Sequence, residues 1–211
     1  MGIEPMGLRE SKKQETRQLI SDQATRLFIE NGFEATTIAE IAAAARVAKK
    51  TVTNYFARKE DMAFDHQDEF AAGLARTVAS RAEGESALAA LRREFLGGVE
   101  RHDPVIGFSG EVFARMIADS PTLLGRLRDL HDRREDALAG LLAAETAAAP
   151  DDITPRAAAA QLGGAHRVLF QRILDLTLDG QSNERIAATV SVAAHRVFDL
   201  LEGSLGDYAV K

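Results

Sequence analysis

GFEATTIAEIAAAARVAKKTVTNYFARKEDM, running from Gly32 to Met62, decides how this chain is read. Thr37 and Glu40 have the spacing of a capping box, in which a hydroxyl and a carboxylate satisfy each other's backbone amides at a helix start. Ile38, Ile41, Ala42 and Ala45 follow at i, i+3, i+4 and i+7 and mark one buried face. A second short helix is expected from Lys49 to Phe56, with Val52 and Phe56 one turn apart facing inward. Its opposite side carries Lys49, Lys50, Thr53 and Asn54, again one turn apart. Helices this short are marginal alone, so tertiary packing must hold them. A helix-turn-helix presenting Lys, Thr, Asn and Tyr on one face is shaped to enter a DNA groove.

Working outward, almost every other stretch also reads as helix, and none shows sustained period-two alternation. The helix before the quoted segment is expected to open at a capping box of Ser11 and Gln14. It carries Ile20, Ala24, Leu27 and Phe28 as an apolar stripe and stops at Asn31-Gly32. A long helix is expected from Glu60 to about Arg81, its early acids suiting the helix dipole. Further helices are expected near 86–101, 106–118, 122–146, 156–178 and 183–203, nine in all. Ser120-Pro121 and Thr154-Pro155 place a capping hydroxyl before a proline at the first helical position. Residues 147–154, rich in Ala, Asp and Pro, are expected to form a mobile loop.

Three patterns in the quoted stretch now point to a family. Gly-Phe-x-x-Thr-Thr-x-x-x-Ile-Ala, Ala-x-Val-x-x-x-Thr-Val and Asn-Tyr-Phe-x-x-Lys-Glu closely resemble the tetracycline-repressor (TetR) family of bacterial transcriptional regulators. The resemblance covers residues 14–62; beyond them only helix number and chain length agree. It implies an all-α homodimer, with a DNA-binding domain at 10–58 and a ligand-binding and dimerisation domain at 59–211. It also implies that Thr37 grips a phosphate, that Lys49, Lys50, Thr51, Thr53, Asn54 and Tyr55 lie on the recognition helix, and that Lys59 binds phosphate at the next helix start. The chemistry suits those roles. Thr37 sets a hydroxyl beside helix N-terminal amides, Lys50 is able to donate to guanine, and Asn54 to read adenine in bidentate fashion. Four residues leave the family's habits. Arg46 stands for a turn glycine, Ala48 for a capping serine, and Lys50 and Thr53 where glycine and tyrosine are common.

The body offers weaker signals. Phe70, Phe95, Phe108, Phe113, Met116 and Phe170, with His166 as a polar handle, are candidates for an apolar ligand pocket. They lie on the helices that surround the ligand in the resembled family, although a filled core suits any one of them. The last two helices are expected to pair with a second copy through Leu162, Leu169, Ile173, Ile186, Val190, Val197 and Leu201, with burial within one chain as the alternative. The run from Arg126 to Asp136 reads as a solvated helix face stitched by i,i+4 pairs.

Composition sets the outer bounds. The chain has 211 residues and no cysteine, so no disulfide or thiolate metal site is available, and a cytoplasmic location is the simplest reading. No apolar run has spanning length. The net charge is −6. Residues 1–64 hold ten basic and nine acidic side chains, while the remainder holds sixteen and twenty-three. That asymmetry fits a DNA-contacting head on an acidic body. Five scattered histidines form no His-x-x-x-His pair. Asp65-His66 with Asp68 and Glu69 is the densest polar cluster, and on a helix Asp65 and Glu69 would share a face, where a solvated surface is expected over a metal site. Neither a phosphate loop nor a nucleophile elbow is present. The expectation is therefore a non-enzymatic repressor without metal or cofactor, binding a palindromic operator as a dimer and released by a small apolar or amphipathic effector. A helical adaptor or a metal-dependent helical enzyme is the alternative.

Overall fold

A computed structural model describes residues 7–211. Among them the chain is all-α, with ten α-helices and one isolated bridge between Ser86 and Val210. The helices are α1 (Leu8–Asn31), α2 (Ile38–Ala44), α3 (Lys49–Tyr55), α4 (Glu60–Ala63), α5 (Gln67–Ala79), α6 (Ala87–Glu100), α7 (Glu111–Ala118), α8 (Pro121–Glu145), α9 (Thr154–Leu178) and α10 (Asn183–Leu205). None of the described helices is long and apolar enough to cross a membrane.

The chain divides into two compact units. The head comprises the described part of Met1–Gln67 together with Met116–Arg126, and the body comprises Asp68–Arg115 and Leu127–Lys211. Thus α4 and a segment from the end of α7 into α8 group with the head. In the head, Ile20, Ala24 and Phe28 of α1 are buried with Phe33, Ile41, Val52, Phe56 and Met62. The Phe28 and Phe33 rings lie 4.8 Å apart. Each of the larger side chains among them contributes about 1.5–3 kcal/mol on burial, which is how seven-residue helices α2 and α3 become stable. In the body, α6 packs on α9 and α10 around Leu88, Leu91, Phe95, Leu162, Leu169, Ile173, Ile186, Val190 and Phe198. The C-terminus is clasped by Arg81, which pairs with Glu145 at 2.7 Å and donates to the carbonyls of Val78, Glu85 and Ala209.

Several helix limits differ from the sequence reading, each for a local reason. α1 opens at Leu8 after Gly7, with no side-chain cap, so Ser11 and Gln14 form no capping box. The Ser11 hydroxyl instead donates to Glu15 within the helix, at 3.1 Å. The helix expected over 60–81 is broken at Phe64, Asp65 and His66, where Asp65 is drawn to Arg17 of α1 at 2.7 Å. This break separates α4 from α5 and gives ten helices instead of nine. It also leaves Asp65 outside any helix face shared with Glu69, and the described residues contain no cluster of three or more metal-ligating side chains. The stretch expected as one helix over 106–118 opens as a 3-10 turn, Pro104–Ile106, capped by Asp103. Gly107 and Gly110 then adopt positive φ before α7. At Gly107 an added Cβ would meet Ile173 at 3.1 Å. Ser120 caps α8 as expected, accepting from the Leu123 amide at 3.1 Å. Thr154, in contrast, is the first residue of α9 rather than its cap, and the Asp152 carboxylate accepts from its amide at 2.8 Å.

Candidate nucleic-acid interface

The turn and helix starts around α3 are built as the sequence suggests, with two unforeseen details. At α2 the capping box is complete. Thr37 Oγ1 accepts from the Glu40 amide at 3.3 Å, and the Thr37 amide donates to Glu40 Oε2 at 2.8 Å. The same carboxylate also receives the Thr37 hydroxyl proton at 2.8 Å. The Thr37 amide first, and then its hydroxyl, hold the Glu40 carboxyl below the usual range. The site expected to grip a phosphate thus already holds a side-chain anion.

Between α2 and α3, the Arg46 amide donates to Ala43 O and the Val47 amide to Ala42 O, at 3.1 and 3.0 Å. That is the crossed pair of a Schellman ending, with the left-handed residue at Arg46, φ 55°. An arginine there costs about 1–2 kcal/mol against glycine's free choice, and the two hydrogen bonds keep the turn in place. Ala48 then starts α3 in extended geometry without a side-chain cap.

On α3, Val52 and Phe56 are buried, which turns Lys49, Lys50, Thr53 and Asn54 to solvent. Thr51 and Tyr55 are half-buried at the edges of that face. The Thr53 hydroxyl donates to Lys50 O at 3.1 Å. The end of α3 is held by a residue the sequence reading missed. Arg17 donates to Tyr55 O at 3.0 Å, pairs with Asp65 at 2.7 Å, and lies 4.3 Å over the Phe56 ring. Its signal was an i−3 offset from Ile20 that put a cation beside the apolar stripe.

Lys59 has partners within the chain. Its Nζ donates to Phe33 O at 2.7 Å and Thr36 O at 3.0 Å, reaches Glu34 O at 3.4 Å, and sits 4.2 Å over the Phe33 ring. An ammonium has three donors, and these carbonyls engage them. Lys59 pins the α1–α2 connection instead of offering a free charge. Nearby, Asp61 accepts from the Arg58 amide at 3.2 Å and pairs with Arg126 at 2.8 Å. Glu34 accepts from the Ser120 hydroxyl at 2.6 Å and from the Thr122 amide at 3.4 Å, and those bonds hold its carboxyl below the usual range.

In the body the candidate pocket residues separate into groups. Phe70 and Phe170 meet His131 with ring centroids 5.2 Å away in each case. Phe95 and Phe198 flank His166 at 5.3 and 5.6 Å. Phe108 lies against His102 at 5.2 Å, Phe113 is half-buried on α7, and Met116 belongs to the head unit. The charge run on α8 is not a uniformly solvated face, since His131 and Arg134 within it are buried. The missed signal was helical spacing: Leu127, Leu130, Leu138 and Leu142 form one buried stripe, and Arg134 falls four residues from Leu130 and from Leu138.

The residues expected between two copies are also placed differently. Leu162, Leu169, Ile173, Ile186 and Val190 are buried inside the single chain, packed with α6, while Val197 and Leu201 are half-buried. The stripes are satisfied intramolecularly because α6 fills the groove between α9 and α10. The outer faces of the same helices expose Val168, Val192 and Leu200, the last 83% accessible.

Comparison with known proteins agrees with the geometry of the head. Residues 20–65 match the family model for bacterial regulatory proteins of the tetR family. The chain is 31% identical over 170 residues to the HTH-type transcriptional regulator TcmR of Streptomyces glaucescens, covering 77% of this chain and 75% of that one. Its fold is similar to a TetR-family regulator from Syntrophomonas wolfei, with TM-score 0.57, 18% identity, and 89% and 96% of the two chains covered. It is also similar to Thermus thermophilus FadR, a repressor solved with lauroyl-CoA, with TM-score 0.50, 22% identity, and 90% and 95% covered. With the helix-turn-helix formed and its polar face outward, the chain belongs to the TetR family of DNA-binding transcriptional regulators.

Proposed function

We propose that the protein is a ligand-responsive repressor that binds a palindromic operator as a homodimer in the cytoplasm. The observation that carries this reading is the exposed set Lys49, Lys50, Thr53 and Asn54 on a helix anchored from behind by Val52 and Phe56. Asn54 has the amide pair that reads adenine, and Lys50 the donor for guanine. Lys49, Thr51 and Tyr55 stand at the rim, where phosphate contacts set register. Thr37 takes part once Glu40 turns away from its hydroxyl, and Lys59 acts by holding the loop before α2.

Two copies are needed for two half-sites about 34–36 Å apart. The faces supporting a dimer are the outer sides of α9 and α10, with Val168, Val192 and Leu200. Gly164 meets no neighbour within 4 Å and leaves room for a close approach. These replace the buried residues as interface candidates. The effector is a small apolar or amphipathic molecule held in the body; the structurally similar T. thermophilus FadR was solved in complex with lauroyl-CoA. It need only bind one body conformation better than another to change the spacing of the two heads.

The test is titration of the purified protein onto the intergenic DNA beside its own gene at two salt concentrations. Retention beyond that of unrelated DNA, weakening as salt rises, supports the reading. Equal retention of both DNAs removes operator recognition.

A further inference from the structure

Arg134 is a buried cation with no anion. The residue is 6% exposed, its Nε has no hydrogen-bond partner, and among the described residues no carboxylate lies within ion-pair distance of it. Its neighbours on α8 are all committed elsewhere: Arg133 to Asp68, Asp132 and Glu135 to Arg167, and Asp136 to Arg156. The guanidinium lies 4.6 Å over the Phe70 ring. His166 is 4% exposed and neither ring nitrogen has a partner. Its ring is held edge-on between Phe95 and Phe198. His131 completes the cluster between Phe70 and Phe170.

Five helices, α5, α6, α8, α9 and α10, therefore converge on three nitrogen-bearing side chains walled by four phenylalanines. Buried polar groups in native proteins are normally satisfied, and a buried charge left alone is strongly unfavourable. The arginine cannot relieve itself by losing its proton near neutral pH. Both histidines are held neutral by burial and by the Arg134 charge, so each keeps one donor and one acceptor. Aromatic walls alone would suit a cation; Arg134 reverses that preference.

We propose that Arg134, with His131 and His166, recognises an effector that carries one anionic oxygen group, a carboxylate or an acidic phenol, on a flat or extended apolar body. The two oxygens of a carboxylate match the guanidinium fork, and a histidine N–H supplies a further donor. The phenylalanines take the apolar part. The inference rests on the reading of the body as the effector-binding unit.

The experiment measures binding of three acid–alcohol pairs to the purified full chain: benzoate and benzyl alcohol, 2-naphthoate and 2-naphthalenemethanol, decanoate and decanol. Equilibrium dialysis gives Kd and thermal melting gives Tm. In at least one pair the acid is expected to bind about tenfold or more tightly than its alcohol. Arg134→Met is expected to reduce that ratio to about twofold or less while raising the Tm of the ligand-free protein, because a stranded charge is replaced by a side chain of similar length. Arg134→Lys, a point charge without the fork, keeps part of the preference. No acid preference in any pair, or a preference that survives Arg134→Met, overturns the proposal. An Arg134-dependent acid preference that leaves operator retention unchanged keeps the anion site and removes its role as effector site. Absence of operator retention in the ligand-free protein counts against the repressor reading alone.

Discussion

Lys59 and Arg17 in the head and Arg134 in the body are all cations resting on phenylalanine rings, yet their polar atoms are treated in opposite ways. Lys59 donates to carbonyls of three residues, and Arg17 has Asp65 and the Tyr55 carbonyl. Arg134 has a ring beneath it, and its Nε has no partner among the described residues. The difference separates two uses of a cation set on an aromatic ring, half-buried in the head and buried in the body. In the head the cations close the scaffold from behind, so that α3 presents a fixed outer face. In the body the cation is buried against phenylalanine and histidine rings, an arrangement that costs stability because its charge is not compensated.

Acid should expose the body's side of this contrast most strongly. Burial first, and then the charges of Arg134 and Arg167, lower the His131 pKa from 6.5 to about 4. Burial first, and then Arg134 and His131, hold His166 well below 6.5. Above pH 6.5 both the folded and unfolded states carry neutral rings, and the contribution is fully present. As pH falls from 6.5 toward 4 the unfolded chain takes up protons that the folded chain refuses. Stability then drops by about 1.4 kcal/mol per pH unit per histidine, or about 3 kcal/mol for His131 over the whole window. Urea unfolding at pH 7 and pH 5 should resolve the loss, and His131→Leu should reduce it by roughly one proton's slope. A variant with the wild-type slope would mean that this ring is not kept neutral by burial.

Lys59 tests the head's side. Lys59→Met should lower the unfolding free energy by about 2 kcal/mol, since charge-assisted bonds to the part-buried Phe33 and Thr36 carbonyls are lost. Weaker DNA binding would follow from a loosened α2. If melting is unchanged while DNA binding falls at every sequence, the side chain acts on phosphate and the scaffold role is wrong.

Arg46 gives the smallest expected effect. Glycine relieves the left-handed strain at φ 55°, so Arg46→Gly should stabilise the protein by up to about 1 kcal/mol after the added freedom of the unfolded chain is counted. Denaturant midpoints would measure it, and a lower midpoint would show that the Arg46 side chain contributes more than its backbone strain removes.

What the sequence reveals follows the range of the interactions. Thr37 with Glu40 and the Val52–Phe56 pair are settled within a few residues, and they are legible as written, whereas Arg46 departs from the glycine pattern and its left-handed φ of 55° is shown by the structure. Arg17 reaches 38 positions along the chain to Tyr55, and Lys59 reaches back 26 to Phe33; neither partner is coded nearby. The break at Phe64–His66 is not legible locally, since Asp65 within it pairs with Arg17 on another helix. Arg134 was concealed by its neighbours, since a run alternating Arg, Asp and Glu reads as solvated until the leucine stripe is followed through it. Leu162 and Ile186 were legible as buried, but the identity of what covers them, α6 rather than a second copy, depends on the three-dimensional fit of three helices.

Under the proposed function α3 reads DNA sequence through its exposed face, and Asn54 is the most direct probe of that reading. Sequences retained from a randomised pool by the wild-type protein should be compared with those retained by Asn54→Ala. The account predicts that the variant still folds, still binds with similar salt dependence, and loses preference at one base pair per half-site, at about 1–3 kcal/mol for the lost bidentate contact. An Asn54→Ala variant that selects the same sequences with uniformly scaled affinity would contradict it.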